Sequence, residues 1–323
     1  MNNRTSMSGR KSATAFAPAS VANVAVGFDL LGFAVDVAGD TAHVEVTDDG
    51  EISIGKISGL ITSLPKDPEK NTATAGLIKF KKDLGLKNGF RVSIEKGIPL
   101  GSGLGGSAAS SVASLFAANS LLSEPLENAE LLQYALIGEH AASGSYHADN
   151  IAPALYGGMT LATLSNNTPG APSVTVNQLP VPTKLWCVLL HSQIEIETKT
   201  ARGILKKEIP FSAHLQQSAH LASFMVALFD ENYSLLKASA KDLIVEPQRR
   251  HLIPSFDAIQ AAALTNDAIC CTISGAGPTI FAWAKSESDA KTIEAAMMQV
   301  TRSMNLKAQS WSLKIPCAGA RPV

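Results

Sequence analysis

The sequence predicts an α+β protein in two parts, and three observations lead to this class. Segments that alternate polar and apolar residues, as half-buried strands do, are interspersed with segments of helical spacing. The chain has 323 residues, 46% of them hydrophobic, which is enough for one large or two medium domains. Asn, Pro and Thr crowd together over residues 165–182, which predicts a link between two halves. We expect mainly antiparallel or mixed sheets.

The elements of the first half follow from alternation and from helical spacing. Residues 41–46 alternate as a strand, and residues 51–54 are expected to pair with them through the turn Asp48-Asp49-Gly50. Residues 90–96 alternate in the same way and lead into a glycine-rich loop. The other predicted elements of this half are strands over 13–17 and 159–164, and helices over 71–84, 107–122 and 128–141.

The second half contains the same two kinds of pattern. A short apolar run over residues 185–191 predicts a buried strand, and Cys270 and Cys271 are expected on another. A helix is expected to begin near Pro254, which places Arg249 and Arg250 in a loop. The other predicted elements are strands over 268–274, 280–284 and 309–315, and helices over 200–207, 213–229, 235–242, 255–264 and 288–304.

Charge and cysteine usage exclude several classes of protein. The net charge of −1 argues against a nucleic-acid partner, which would need a broad basic face. There is no run of ~18 uncharged apolar residues, so no membrane partner is expected. The first twelve residues are polar, unlike a signal peptide, and the four cysteines lack metal-ligand spacing. We expect a cytoplasmic protein with reduced thiols.

The most informative segment is a glycine- and serine-rich loop that runs from Pro99 into a helix at Ala108. Such a loop exposes backbone N–H groups, and the start of the helix adds a partial positive charge, so the segment predicts a phosphate-binding site. Gly101, Gly103 and Gly106 also satisfy G-x-G-x-x-G, and a dinucleotide-binding protein is therefore an alternative. An ATPase P-loop is excluded, because Ser107 stands where its lysine is required.

Residues 99–109 resemble the Pro-x-x-x-Gly-Leu-Gly-Ser-Ser-Ala-Ala loop of the GHMP kinases, with Gly106 in place of the first serine. Four further segments resemble motifs of the subgroup of that family that phosphorylates the amino acid L-homoserine. These segments are residues 17–32, 138–158, 246–254 and 274–279. The resemblance spans roughly residues 13–315. It implies an amino-terminal α+β ATP-binding domain (13–170) and a carboxy-terminal ferredoxin-like domain (171–323).

The resemblance also implies ATP and Mg²⁺ as cofactors, and phosphorylation of the L-homoserine hydroxyl in threonine biosynthesis. The implied ATP-binding residues are Asn71, Pro99, Leu100, Gly101, Ser102, Gly103, Leu104, Gly105, Gly106, Ser107, Ala108 and Ala109. Ser107 and Glu139 are the implied magnesium ligands, since Mg²⁺ prefers hard oxygen donors. Two alternatives remain: Asn71 as the N-cap of its helix, and Glu139 as a solvated charge.

The acceptor is a zwitterion with a short hydroxyl arm, and the resemblance supplies a partner for each of its charges. Arg202 and Arg249 are implied for the carboxylate, which suits planar guanidinium donors. Asp29 is implied for the ammonium, and His147 for the pocket wall. The alternatives are a surface ion pair for either arginine, a local turn contact for Asp29 and a structural role for His147. Arg250 is the neighbour most easily confused with Arg249.

The hydroxyl that receives the phosphoryl group is expected to meet Asn23, Asp149 or Asn150. Its proton can pass to the phosphate itself, because a loose transition state needs little activation of the nucleophile, or to Asp149 as general base. Both routes stay open at this point. A homodimer is implied by the resemblance. The rival functions are a kinase of another small alcohol and a catalytically silent nucleotide-binding paralogue.

Overall fold

The computed structural model describes residues 6–144, 146–165 and 173–323. The strands in these residues are β1 (Ser12–Ala22), β2 (Leu31–Thr47), β3 (Ile52–Gly59), β4 (Gly89–Lys96), β5 (Met159–Ser165), β6 (Ser173–Leu179), β7 (Trp186–Ser192), β8 (Cys270–Ile273), β9 (Ile280–Ala284), β10 (Ala308–Lys314) and β11 (Arg321–Pro322). The helices are α1 (Thr72–Asp83), α2 (Gly106–Asn119), α3 (Asn128–Ser143), α4 (Ala148–Tyr156), α5 (Thr198–Gly203), α6 (Phe211–Phe229), α7 (Tyr233–Ser239), α8 (Glu246–Arg249), α9 (Phe256–Thr265) and α10 (Glu287–Ser303).

The first sheet has the order β11-β1-β2-β4-β3, with β5 paired to β2 and β6 paired to β5. The long strand β2 is its centre, because its early residues pair with β5 and its late residues pair with β4. Helices α1, α2 and α3 pack on one another, and α2 and α4 pack against β1 and β2. This arrangement brings the starts of α2 and α4 close to the end of β1.

The predicted hairpin between residues 41–46 and 51–54 is wrong. β3 does not pair with β2; it lies beyond β4 and pairs with β4 in parallel, with Ile52 opposite Phe90. The physical reason is burial. The alternating residues of β4 bury one face completely and suit an inner position, whereas the partly exposed β3 suits an edge.

The predicted link over residues 165–182 is wrong in part, because residues 173–179 form β6 and pair with β5 in the first sheet. Residues 166–172 lie outside the described residues. At the end of the chain, β11 also joins the first sheet, beside β1. The division into domains at residue 170 stays a prediction, and β6 and β11 connect the first sheet across it.

The second sheet is antiparallel with the order β10-β7-β9-β8. Its strands and helices follow one another along the chain as β-α-β-β-α-β, and β10 and β8 are the edge strands of the sheet, which is the ferredoxin-like pattern. The two halves meet through an aromatic cluster: Phe33 from β2 lies 5.6 Å from Phe281 and 5.7 Å from Trp283, between ring centroids. The sheets are therefore held together by buried apolar contact.

Two short helices were not predicted, and both carry candidate site residues. α4 has Pro153 inside it and α8 has a proline in its first turn, so neither displays the long periodic pattern that indicates a helix. Arg249 was expected in a loop and instead ends α8. The mainly antiparallel, mixed α+β architecture is confirmed.

All four cysteines are free thiols, and Cys270 and Cys271 lie on the buried strand β8 as expected. Burial raises the pKa of the Cys270 thiol to about 12. Across the described ranges, no helix is both long enough and apolar enough to cross a membrane.

Candidate active site

A cavity lies where the glycine-rich loop, α4, α5 and α8 converge. It brings together every residue that the sequence indicated for catalysis or for the acceptor. These residues are Asn23, Asp29, His147, Asp149, Asn150, Arg202 and Arg249. The loop residues that also line it are Pro99, Leu100, Gly101, Ser102, Gly103, Gly105, Gly106 and Ser107, and Glu139 lies beside them. Leu104, Ala108, Ala109 and Asn71 do not line this cavity; they are buried in the fold around it.

The loop requires glycine where the backbone turns left-handed. Gly101, Gly103 and Gly105 have φ angles of 55°, 77° and 68°, and Gly105 is the N-cap of α2. A Cβ at Gly103 would lie 2.5 Å from the backbone oxygen of Ser274, so a side chain there is excluded by space as well as by conformation. Gly106, which replaces the family's serine, has no such φ, although a Cβ there would approach Ile98 Cγ2 to 3.1 Å.

The second half of the chain holds the loop from behind. Ser274 Oγ donates to the Gly103 carbonyl at 2.6 Å, and Thr279 donates to the Ser102 carbonyl from its backbone N–H at 3.2 Å and its hydroxyl at 2.6 Å. Ile196 N–H donates to the Gly101 carbonyl at 3.1 Å. The segment from Ser274 to Thr279 therefore packs beside the loop. These bonds from the second half of the chain fix the peptide planes of the loop.

A buried ion pair lies under the start of α2. Lys96 at the end of β4 bonds Asp40 on the neighbouring strand β2, and both side chains are buried. Lys96 Nζ also donates to the Gly106 carbonyl and to Ser110 Oγ, each at 2.9 Å. Asp40 Oδ1 accepts from the N–H of Gly97 at 3.1 Å. One buried charge pair therefore ties the entry and the exit of the loop to the sheet.

The sequence analysis missed this pair, although a signal for it exists. Residues two apart on a strand share a face, so Lys96 lies on the same buried face of β4 as Val92 and Ile94. Asp40 shares a face of β2 with the buried residue Ala42 in the same way. Two charges directed inward at facing positions predict an ion pair, because a buried charge needs a partner.

Ser107, Glu139 and His147 form a chain of hydrogen bonds at the cavity wall. Ser107 Oγ donates to Glu139 Oε2 at 2.6 Å, and His147 Nδ1 lies 2.9 Å from Glu139 Oε1. Glu139 is buried, so the interpretation as a solvated charge is wrong. Burial alone would lower the pKa of His147, but its hydrogen bond to Glu139 and the charges of Glu139 and Asp149 outweigh burial and raise that pKa.

Asp149 lies in the first turn of α4 and is buried. Its Oδ1 accepts no hydrogen bond from the described part of the chain. Burial is the main reason that the pKa of Asp149 rises to about 7; the charge of Asp29 raises it further, and His147 opposes the rise. A carboxylate with this pKa exchanges its proton near neutral pH, which is the range in which a general base is effective.

Asn23 begins a turn with strained backbone. Asn23, Val24 and Ala25 have φ angles of 71°, 43° and 60°, and this region is unfavourable for a β-branched residue such as Val24. The side chain of Asn23 stabilises the turn, because its Nδ2 donates to the Gly275 carbonyl at 2.9 Å and its Oδ1 accepts from Asp29 N–H at 3.2 Å. The turn thus presents Asp29 to the cavity. On the opposite wall, Asn150 Oδ1 accepts from Ser20 Oγ at 2.9 Å.

Asp29 and Arg202, for which the resemblance implied opposite charges of the acceptor as partners, are paired with each other. Arg202 donates two hydrogen bonds to Asp29, at 3.0 Å to Oδ2 and 2.7 Å to Oδ1. Each side chain is about one-third exposed, at 34% and 33%. The interpretation of Asp29 as a purely local turn contact is therefore wrong, since it reaches a residue of the second half.

Arg249 carries a buried charge that no carboxylate of the described residues neutralises directly. Its Nε donates to the Ala201 carbonyl at 2.9 Å and its Nη1 to the Gly275 carbonyl at 3.1 Å. Burial is the main cause that lowers the pKa of Arg249, and the charge of Arg202 adds to it. Both guanidinium groups lie over the ring of Phe28, at 5.1 Å for Arg249 and 5.3 Å for Arg202. Sequence reasoning missed Phe28, which stands next to Asp29.

The helix that carries Arg249 is fixed by two half-buried carboxylates. Asp242 accepts from the N–H groups of Ile244 at 2.9 Å, Val245 at 2.8 Å and Glu246 at 3.0 Å, so it holds the turn that leads into α8. The side chain of Glu246 accepts from Thr272 on β8 and from Gln260 at 3.0 Å. Arg249 is buried, whereas Arg250 points away and pairs with Asp257 at 3.2 Å. The surface ion pair considered for Arg249 is thus wrong.

Asn71 is the N-cap of α1, as the alternative interpretation held. Its Oδ1 accepts from Ala73 N–H at 3.0 Å, and its Nδ2 donates to the Pro65 carbonyl at 2.8 Å. The amide therefore holds the segment before α1 against the helix start. Its role toward adenine stays a prediction.

Two family descriptions match this chain: residues 71–158 match the GHMP kinases N terminal domain, and residues 224–300 match GHMP kinases C terminal. The chain belongs to the GHMP kinases. Within that family the chain is similar to homoserine kinases. It is 44% identical over 309 residues to the homoserine kinase of Xylella fastidiosa (strain M12), covering 96% of this chain and 93% of that protein. It is 41% identical over 313 residues to that of Xanthomonas campestris pv. campestris, covering 97% and 94%.

A solved structure is similar over nearly the whole chain. The crystal structure of homoserine kinase from Cytophaga hutchinsonii has a TM-score of 0.91 and 40% identity, and the match covers 98% of this chain and 99% of that one. The fold that the resemblance implied is confirmed. The dinucleotide-binding alternative is wrong, because the strand before the loop pairs antiparallel with β2 and the family is one of kinases.

Proposed function

We propose that this chain transfers the γ-phosphoryl group of ATP to the hydroxyl of L-homoserine, giving ADP and O-phospho-L-homoserine for threonine biosynthesis. Relatives and a solved structure at 40–44% identity are homoserine kinases. The observation that carries the choice of acceptor is Arg249, a buried guanidinium without a carboxylate partner in the described residues, beside the Asp29–Arg202 pair. This group of charges lies in the same cavity as the glycine-rich loop.

The acceptor's two charges complement this part of the cavity. The carboxylate of the acceptor would bind Arg249 and Arg202, and its ammonium would bind Asp29. The bond between Asp29 and Arg202 would then separate, and each of these two side chains would gain an opposite charge from the ligand. An uncharged alcohol or a sugar offers neither group and would leave Arg249 unneutralised. The charges therefore favour an amino acid over another small alcohol. We propose that His147 completes the pocket wall.

The loop would hold the phosphates of ATP through its backbone N–H groups at the start of α2. Ser107 and Glu139 are proposed to bind Mg²⁺. Among the described residues no group of three or more His, Cys, Asp or Glu side chains can hold a metal. One carboxylate and one hydroxyl nevertheless fit Mg²⁺, which keeps waters and takes phosphate oxygens as further ligands. When bound, the ion supplies charge neutralisation at the transferring group.

We propose that Asp149 accepts the proton of the acceptor hydroxyl, with Asn23 and Asn150 on either side of that group. The support is the buried Oδ1 of Asp149, which accepts no hydrogen bond from the described chain, together with its pKa of about 7. Proton transfer to the phosphate itself is the competing route, and substitution of Asp149 separates the two.

Three further properties belong to this proposal. Asn71 is proposed to contribute to the adenine site of ATP, because its hydrogen bond to the Pro65 carbonyl holds that segment against α1. A cytoplasmic location is proposed, and the four free thiols support it. A homodimer is proposed as the assembly.

The experiment is an assay of ADP release with L-homoserine, mevalonate and galactose as acceptors, repeated with Arg249→Ala. We expect turnover with L-homoserine alone. The variant should raise the KM for homoserine about 100-fold, because a charge-assisted pair is lost, while its affinity for ATP stays nearly unchanged. Arg250→Ala is the matched control, since this exposed neighbour pairs with Asp257 and not with the cavity.

Three results would contradict parts of the proposal. Equal turnover with mevalonate or galactose would show a different acceptor. Magnesium-dependent ATP binding without turnover on any amino alcohol would favour a silent nucleotide-binding paralogue. An unchanged homoserine KM in Arg249→Ala would remove Arg249 from the acceptor pocket.

A further inference from the structure

Helix α6 exposes an apolar face that the proposed reaction does not use. The exposed fractions are 78% for Phe211, 60% for Leu215, 51% for Val226 and 65% for Phe229. None of these four residues lines the candidate active site. Large apolar side chains this exposed, gathered on one helix, indicate an interaction surface rather than scattered surface residues.

The exposed residues form one continuous stripe. Phe211, Leu215, Ser218, Ala222, Val226 and Phe229 are all exposed. At about 100° per residue, these six positions fall within roughly 80° of one another on the helix surface. The stripe is about 27 Å long, from 18 residue steps of about 1.5 Å each. We call these six residues the α6 stripe.

The opposite face of the helix is anchored in the protein. Phe224, Ala227 and Leu228 are buried, and Gln217 Nε2 donates to the Val26 carbonyl at 3.0 Å. The orientation of α6 is therefore fixed, and the stripe faces outward. A substitution on the stripe leaves these inner contacts intact, so it can test binding without unfolding the chain.

The charge of α6 restricts its partner. Residues 211–229 contain no Asp, Glu, Lys or Arg, which is unusual for a helix with one solvent-facing side. A nucleic acid or an acidic membrane surface would be matched by lysine and arginine on this face. A second copy of the same face is matched by the absence of charge, because a twofold axis brings like charges together and an uncharged stripe has none to repel.

The order of side-chain sizes matches an antiparallel pair. Phe211 and Phe229 lie nine residues before and after position 220, and Ser218 and Ala222 lie two residues before and after it. Leu215 and Val226 are nearly symmetric about the same point. Antiparallel pairing thus sets large side chains opposite large ones at both ends and small ones at the centre, where two helices can approach closely.

We propose that two copies of this chain associate through the α6 stripe, with the two helices antiparallel about a twofold axis near position 220. Phe211 of one copy then meets Phe229 of the other, and Leu215 meets Val226. The contact is isologous, so each residue of the stripe acts twice in the dimer. The proposal names the surface of the homodimer proposed above and rests on that assembly, but it does not depend on the proposed reaction.

Sedimentation velocity over a range of concentrations tests the proposal. The wild type should be a dimer. Leu215→Glu should raise the dimer dissociation constant at least about 100-fold. The substitution places an unpaired charge against an apolar side chain at each of the two symmetry-related contacts. Gln216→Glu is the matched control: it adds the same charge at an exposed neighbouring position outside the stripe and should leave the dimer intact. Far-UV circular dichroism verifies the fold of each variant.

The antiparallel register has its own test. Leu215→Glu and Val226→Lys should each be monomeric alone, and mixing them should give a heterodimer, because Glu at 215 of one copy then faces Lys at 226 of the other. A parallel arrangement would not bring these two positions together. A monomeric wild type, or a Leu215→Glu variant that dimerises like Gln216→Glu, would overturn the proposal. A dimer that dissociates in both single variants but does not re-form on mixing would overturn the antiparallel register.

Discussion

The two ends of the candidate active site are built on opposite principles. At the glycine-rich loop the ligand would meet backbone. That backbone is held by hydrogen bonds from Ser274 and Thr279 on one side, and the buried Asp40–Lys96 pair lies on the other side. At the acceptor end the ligand would meet charged side chains. There Arg249 has no carboxylate partner in the described chain, and Asp149 Oδ1 has no donor.

The difference between the two ends fits the ligand proposed for each of them. Phosphate groups are similar in every nucleotide, and a rigid row of N–H groups recognises them by shape and charge without changing its own bonds. An amino acid differs from other alcohols by its two charges. A site that selects an amino acid benefits from charged side chains that lack an opposite charge, or whose ion pair can open as Asp29–Arg202 can. The amino acid then supplies the opposite charges, which an uncharged alcohol does not.

The largest expected effect is on the acceptor side. Asp149→Asn should lower kcat by about 10²–10⁴-fold, the usual contribution of general base catalysis. In the wild type, kcat/KM should rise with pH and level off above about 7, because the base must be deprotonated and the pKa of Asp149 is about 7. The variant should lose this rise. Steady-state kinetics between pH 5.5 and pH 9 measure both.

A matched control for this substitution is Asp36→Asn, since Asp36 is exposed and pairs with Arg321 at 3.4 Å, away from the cavity. It should leave kcat and the pH profile unchanged. A loss of only a few fold in Asp149→Asn would remove Asp149 as an essential base and leave the phosphate as the proton acceptor.

The next largest effect is expected behind the loop. Lys96→Met leaves Asp40 as a buried charge without its cation and should reduce the free energy of unfolding by about 3–5 kcal/mol. The double variant Asp40→Asn with Lys96→Met should recover most of that loss, because a neutral amide oxygen still accepts from Gly97 N–H. Urea unfolding measures both variants.

The double variant also separates stability from positioning. It lacks the bond from Lys96 to the Gly106 carbonyl, so its KM for ATP should stay raised while its KM for homoserine is unchanged. If ATP affinity returns together with stability, the ion pair supports the fold without positioning the loop.

A third effect links Asp149 to stability. Its pKa of about 7 in the folded state lies above the ordinary value of 3.8, so the unfolded state releases this proton first. Folding stability from this group is complete below pH 3.8 and falls as the pH rises through about 7. Asp149→Asn has no carboxyl group to titrate, so it does not lose folding stability as the pH rises. Its free energy of unfolding should exceed that of the wild type by roughly 2–4 kcal/mol at pH 8, and by less at pH 4.5. An equal gain at both pH values would contradict a raised pKa.

The smallest effect is expected at Asn71. Asn71→Ala should reduce stability by about 1 kcal/mol through loss of the N-cap, and should raise the KM for ATP several-fold if the segment at Pro65 faces adenine. Asn71→Asp keeps the capping oxygen but not the donor to Pro65, so it should restore stability without restoring the KM. Full ATP affinity in Asn71→Ala would limit Asn71 to its role as a cap.

The sequence predicted the parts of the site that depend on local pattern. Glycines 101, 103 and 105 are required by left-handed φ angles within a few residues, and the family motifs lie in contiguous segments. It failed where pairing partners are distant. The position of β3 beyond β4 depends on which strand is more buried, and the helices α4 and α8 are too short and too proline-interrupted to display a period. No sequence pattern indicates that the ring of Phe28 lies against the two arginines.

From the sequence alone came the family, the loop proposed to bind phosphate and the residue types proposed for the acceptor pocket, because backbone turns and contiguous motifs are properties of neighbouring residues. Tertiary structure alone decided that Asp29 bonds Arg202, that Arg249 is left without a carboxylate partner among the described residues, and that Lys96 and Asp40 support the loop. Charge pairing and desolvation depend on distance in space and on burial, which a linear order of residues does not contain.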